Sequence, residues 1–101
     1  MRFLFKITIP VEAGNAEARS GFKALRAILE QQKPEAAYFI AEGGKRTTLM
    51  VIDMEDASRL AEIAEPWFLA LGASIEVTPV MLPEDLQKAS PAVTEAVKTF
   101  G

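Results

Sequence analysis

The sequence predicts an α+β domain in the order strand, helix, strand, strand, helix, strand, with a helical tail behind it. Three observations predict this. Phe3, Phe5, Ile7 and Ile9 alternate with Arg2, Leu4, Lys6 and Thr8, the period of two that marks a strand. Ala36 to Met54 holds two apolar runs joined by Glu42-Gly43-Gly44-Lys45, and Gly-Gly supplies the two positive φ angles of a tight hairpin turn. Two further stretches, one before and one after this hairpin, carry apolar residues at helical spacing.

In chain order, the first strand closes at Pro10. Val11 to Gly14 reads as a loop and Asn15 as an N-cap. A single helix is then expected as far as Gln32, because Ala18, Phe22, Leu25 and Leu29 form one apolar stripe. Lys33-Pro34 stops it. A two-residue hairpin loop sets Glu42 opposite Lys45, Phe39 opposite Thr48, Tyr38 opposite Leu49 and Ala37 opposite Met50. The second hairpin strand, Thr47-Thr48-Leu49-Met50-Val51-Ile52, is apolar on both faces, so both faces need cover.

Asp56 is placed to cap a second helix, Ala57 to Leu71, with Leu60, Ile63, Ala64 and Trp67 at helical spacing, a kink or break near Glu65 before Pro66 and an end at Gly72. Ile75, Val77 and Pro79 alternate with Ser74, Glu76 and Thr78 in a fourth strand, which Pro79 favours as an edge. Pro83 starts a short helix and Ser90-Pro91 a second, with Val93, Val97 and Phe100 on one side. Such helices are too short to stand alone, so the tail is expected to dock on its own subunit or on a partner.

This order is the ferredoxin-like split βαβ arrangement: a four-stranded antiparallel sheet, both helices on one face, first and third strands central. Residues 1–82 form the domain and 83–101 the tail. Phe3, Phe5, Ile7, Ile75 and Val77 face the helices; Leu4, Lys6, Thr8, Glu76, Thr78 and Val80 fall on the open face. A mixed apolar and polar open face suits two sheets meeting in a homodimer.

Composition narrows the chemistry. The chain has 101 residues, half of them hydrophobic, and a net charge of −3, the wrong sign for general phosphate-backbone binding. No nucleic acid partner is expected. No apolar run approaches the ~20 residues of a membrane span, and Lys6 and Thr8 interrupt the basic, apolar start, which reads as a strand in a cytoplasmic protein rather than a signal peptide. There is no cysteine and no histidine, which removes the thiol nucleophile, the thiolate metal site and the commonest general base. No cofactor is expected.

From Met50 to Leu82 the chain resembles the dimeric α+β-barrel proteins. The strand ending Val51-Ile52-Asp53, the helix through Leu60 and Ile63 to Pro66-Trp67-Phe68, Gly72, and Ile75-Glu76-Val77-Thr78-Pro79-Val80-Met81 carry the likeness. The muconolactone isomerase family is similar in pattern over this part. With Pro34-Glu35-Ala36-Ala37-Tyr38-Phe39, Pro83-Glu84-Asp85-Leu86 and Phe100-Gly101 included, the whole chain resembles a group of small bacterial proteins of unassigned function. The resemblance implies a dimer with its two sheets face to face, often around a ligand-sized cavity. That superfamily includes cofactor-free monooxygenases, isomerases, haem proteins and stress-response binders, so no catalytic residue is carried over.

The residues themselves supply the candidates. Lys6 and Glu76 lie on neighbouring strands of the open face and, desolvated beneath a second sheet, would serve as base and electrophile; a cross-strand ion pair that helps set register is the plainer reading. Tyr38 can donate to a substrate carbonyl or simply pack its ring. Thr8 and Thr78 flank these as ligand contacts. Trp67 and Phe68 can line a cavity mouth or pack as core. Gly43-Gly44-Lys45-Arg46 suggests a phosphate loop, but it lacks Walker spacing and precedes a strand, so it reads as a hairpin turn before an anion site; Arg46 is a ligand-contact candidate. Asp53, Glu55 and Asp56 read as caps and dipole partners, not metal ligands. The expected function is therefore binding of a small apolar or aromatic ligand between the sheets of a homodimer. The alternatives are a cofactor-independent isomerase or monooxygenase-like enzyme using Lys6, Glu76 and Tyr38, and a structural or assembly module.

Overall fold

The cleanest alternating segment, β1 (Arg2–Thr8), takes the middle of the sheet. It pairs antiparallel with β3 (Lys45–Asp53) on one side and β4 (Ser74–Val80) on the other, and β2 (Ala36–Glu42) joins the outer edge of β3, giving the order β2-β3-β1-β4. The structure is a computed structural model describing residues 1–101. The topology is that of the ferredoxin-like α+β fold, with the first and third strands central and Pro79 on an edge strand, where its missing donor interrupts no second ladder. The hairpin register is the expected one: Glu42 faces Lys45, Tyr38 faces Leu49 and Ala37 faces Met50. Gly43 and Gly44 sit at φ 60° and 76°, angles that side-chain-bearing residues rarely adopt.

Helices α1 (Val11–Arg19), α2 (Lys23–Gln32) and α3 (Arg59–Leu71) are distinct elements of the chain, and a fourth, α4 (Pro83–Phe100), follows the sheet. Phe5, Ile7, Met50 and Ile52 from one face of the sheet form a single buried cluster with Ile28, Ile63, Trp67 and Leu71 from the helices. Trp67 is fully buried. Its indole N–H donates to Gln32 Oε1 at 3.1 Å, and Gln32 Nε2 donates to the Ile63 carbonyl at 2.8 Å, so one amide ties α2 to α3. No helix is long and apolar enough to cross a membrane.

Four local expectations give way. The first helix begins at Val11 instead of Asn15, because the Pro10 carbonyl accepts from Gly14 N at 2.9 Å. It is also two helices, not one. Gly21 and Phe22 take φ values of 72° and 58°, which turn the chain out of α1, and the Phe22 N–H returns to the Glu17 carbonyl at 2.7 Å. The apolar stripe spans this break because both segments pack on the same sheet. Asp56 caps only the lead-in turn, accepting from Ser58 N at 2.9 Å, and α3 starts at Arg59 and runs through Pro66 unbroken.

The tail, fourthly, is one helix of 18 residues with Pro91 inside it. Pro83 is its first residue, and Asp85 Oδ2 accepts from Leu82 N at 2.9 Å. None of its residues is buried within the chain. The helix therefore extends from the body. The radius of gyration is 17.1 Å, against ~13 Å for a compact chain of this length, and the longest dimension is 57 Å.

Candidate functional site

The open face of the sheet gathers most of the residues singled out from sequence. Register places Tyr38, Leu49, Lys6 and Glu76 in one row across all four strands. The neighbouring row is Ala36, Val51, Leu4 and Thr78; the row on the other side is Ile40, Thr47, Thr8 and Ser74. Tyr38 is 66 % exposed on the edge strand. The three acid–base candidates thus share a row, but their side chains do not form the expected pair. Lys6 Nζ bonds Glu42 Oε2 at 2.5 Å, reaching across β3 to the far edge strand. Glu42, register partner of Lys45, gives its carboxylate to Lys6 instead.

That bond has a consequence for chemistry. The hydrogen bond to Glu42 raises the Lys6 pKa above its ordinary 10.5; burial opposes this, and Coulombic attraction from Glu42 and Glu76 adds to it. A general base works best with a pKa near the operating pH. The shift favours the ammonium form that the ion pair with Glu42 needs.

Trp67 is fully buried in the core, and it borders neither of the two depressions described below. Phe68, the next residue round α3, faces the other way. It lines a depression of about 460 Å³ between α3 and β4 with Leu60, Ala64, Ile75 and Val77.

The larger cavity lies on the helix side of the sheet, a place the sequence did not indicate. It is a cleft of about 710 Å³ bounded by α1, the Gly21–Phe22 turn, α2 and the edge of the β2–β3 hairpin. Ile9, Phe22, Leu25, Leu29 and Phe39 supply apolar walls. Arg46, the one ligand-binding candidate located here, lines it from β3, and its Nη1 donates to Asn15 Oδ1 at 2.9 Å. Gly14 permits that approach: a Cβ there would lie 3.0 Å from Arg46 Nη1.

Glu17 is 8 % exposed and also lines the cleft, but both its oxygens are engaged. Oε1 accepts from Leu25 N at 2.9 Å and Oε2 from Ser20 Oγ at 3.2 Å. It stands in for the N-cap that Phe22 cannot provide, closing α2 after the break. Glu17 and Gly14 were both missed in the sequence. The Gly21-Phe22 pair inside a helical stripe was the one available signal.

A four-stranded antiparallel sheet with helices on one face, an open mixed face and a ligand-sized cleft defines a small α+β domain of ferredoxin-like topology. Residues 1–94 match the family described as a domain of unknown function, DUF3303, and the chain belongs to that family. No curated protein matches the sequence.

Proposed function

We propose that the protein is a small homodimeric binding module of the dimeric α+β-barrel type, pairing through its open sheet faces and holding a small apolar or aromatic molecule in the helix-side cleft of each chain. One observation carries the ligand reading: a cleft of about 710 Å³ with mainly apolar walls, inside the ~300–1,000 Å³ range of small-molecule sites. A ligand between the two sheets was the expectation from sequence; the cleft is complete within one chain and is the better-supported place. The open face supports pairing, since Leu4, Leu49, Val51 and Val80 are only half-buried and Tyr38 and Ile40 are exposed. A bacterial cytoplasmic setting fits this reading.

The enzyme reading rests on the row of Tyr38, Lys6 and Glu76. The raised Lys6 pKa weighs against it, and Lys6→Met with Glu76→Gln would abolish turnover if it held.

The test uses the neutral fluorescent probe N-phenyl-1-naphthylamine. The wild-type chain is expected to bind it with stoichiometry near one per chain, and Leu25→Trp, which fills the cleft, to lose at least ~10-fold in affinity. Unchanged probe binding in Leu25→Trp would remove the cleft from the proposal.

A further inference from the structure

We infer that the cleft selects apolar ligands bearing a single carboxylate, held between the Arg46 guanidinium and the Thr48 hydroxyl; this rests on the ligand-binding reading above. Arg46 and Thr48 are two residues apart on β3, so their side chains leave the same face of the sheet, the helix side. Both line the cleft.

The two groups are polar and short of partners. A guanidinium has five N–H donors, and Arg46 uses one, on the Asn15 amide oxygen. Arg2 and Arg59 each bond a carboxylate; Arg46 makes no ion pair. Thr48 is 1 % exposed, whereas its neighbour Thr47 satisfies its hydroxyl on the Lys45 carbonyl at 3.2 Å. Thr48 makes no such side-chain bond, yet no buried side-chain polar atom in the chain is cut off from both solvent and a partner. A Thr48 hydroxyl without a partner therefore keeps a sliver of solvent contact, and the residue borders the cleft.

Charge decides the ligand class. Arg46, Arg26 and Glu17 line the cleft, two positive groups against one negative. Arg26 is held by the Gly21 carbonyl and Glu17 by Leu25 and Ser20, so both serve the turn between α1 and α2. Arg46, with four donors free against three on Arg26, is the cation not committed to that turn. A neutral apolar ligand would desolvate that guanidinium and give nothing back, while a carboxylate pairs with it and accepts from Thr48. A phosphate ester or nucleotide would bring two or more charges to walls that are mostly apolar.

The test displaces N-phenyl-1-naphthylamine at pH ~7, where decanoate is ionised, with either decanoate or 1-decanol. Decanoate is expected to displace the probe at ~10-fold lower concentration than decanol. In Arg46→Met the decanoate-to-decanol ratio is expected to fall to about one, and in Thr48→Val to fall by a few-fold. Thr48→Val replaces an unpartnered hydroxyl with a methyl of the same shape and serves if Arg46→Met does not fold. Equal displacement by decanoate and decanol in the wild type would overturn the carboxylate assignment and leave the apolar cleft standing. Retention of the wild-type ratio in both variants would overturn the roles of Arg46 and Thr48. Failure of the probe to bind at all would overturn the ligand-binding reading itself.

Discussion

Single residues decide more than their exposure suggests. Gln32 is a half-buried amide on α2, yet its two bonds satisfy the Trp67 indole and tether α3. Gln32→Ala leaves the buried indole N–H without its partner and is expected to cost about 1–3 kcal/mol in urea unfolding. Asp56 acts through charge. The Ser58 backbone N–H and hydroxyl hold its carboxyl below the ordinary 3.8. Because the folded value is the lower one, the stability it contributes is present above 3.8 and is lost as pH falls through the folded value. Asp56→Ala is thus expected to lower the urea midpoint at neutral pH and to converge on the wild type as pH falls through the folded Asp56 value. A difference that persisted in acid would assign the effect to backbone propensity instead.

At the scale of elements, the α1–α2 break is the feature with most consequence. It places Phe22 and Leu25 over the edge of the hairpin and opens the cleft between them. Gly21 at φ 72° is the residue that permits the turn, and Gly21→Ala is expected to cost about 1–2 kcal/mol by the same unfolding measurement, from the left-handed strain alone. Glu17→Ala removes the bond to Leu25 N, and a loss of about 1 kcal/mol is expected, in the range of a lost N-cap. The hairpin was legible in advance because its determinants are local: Gly43-Gly44 at the turn and alternation on each side. The break was not, because a stripe of Ala18, Phe22, Leu25 and Leu29 reads alike whether one helix or two packs on the sheet.

For the whole molecule, the question is what covers the surfaces a single chain leaves open. The open face carries the half-buried Leu4, Leu49, Val51 and Val80, and α4 carries Leu86, Val93, Val97 and Phe100, all exposed, with Phe100 at 88 %. Their spacing along α4 follows 7, 4 and 3, one stripe on one side. Each such side chain forgoes ~1.5–3 kcal/mol of burial while it stays in water. Sedimentation equilibrium at micromolar concentration is expected to show a dimer, and Leu49→Glu with Val51→Glu to shift it to monomer while circular dichroism is unchanged. A wild-type monomer under those conditions would refute pairing through the sheet.

Four features were legible before folding: the hairpin register and the inward face of β1 from local turn and alternation, the edge position of β4 from Pro79, and the strand order from the succession of strands and helices. Packing settled the rest: which carboxylate Lys6 takes, that Trp67 is core, and that Gly14, Glu17, Phe22, Phe39, Arg46 and Thr48 share one cleft. Those residues come from α1, β2, β3 and the turn between α1 and α2, and no local pattern joins the three elements. Lys6 could reach Glu76 or Glu42, and the ion pair formed across β3 rather than within the β1–β4 ladder. Charge pairing and cavity shape depend on distances of a few ångströms between remote segments, and those distances exist only once the sheet has twisted and the helices have packed on it.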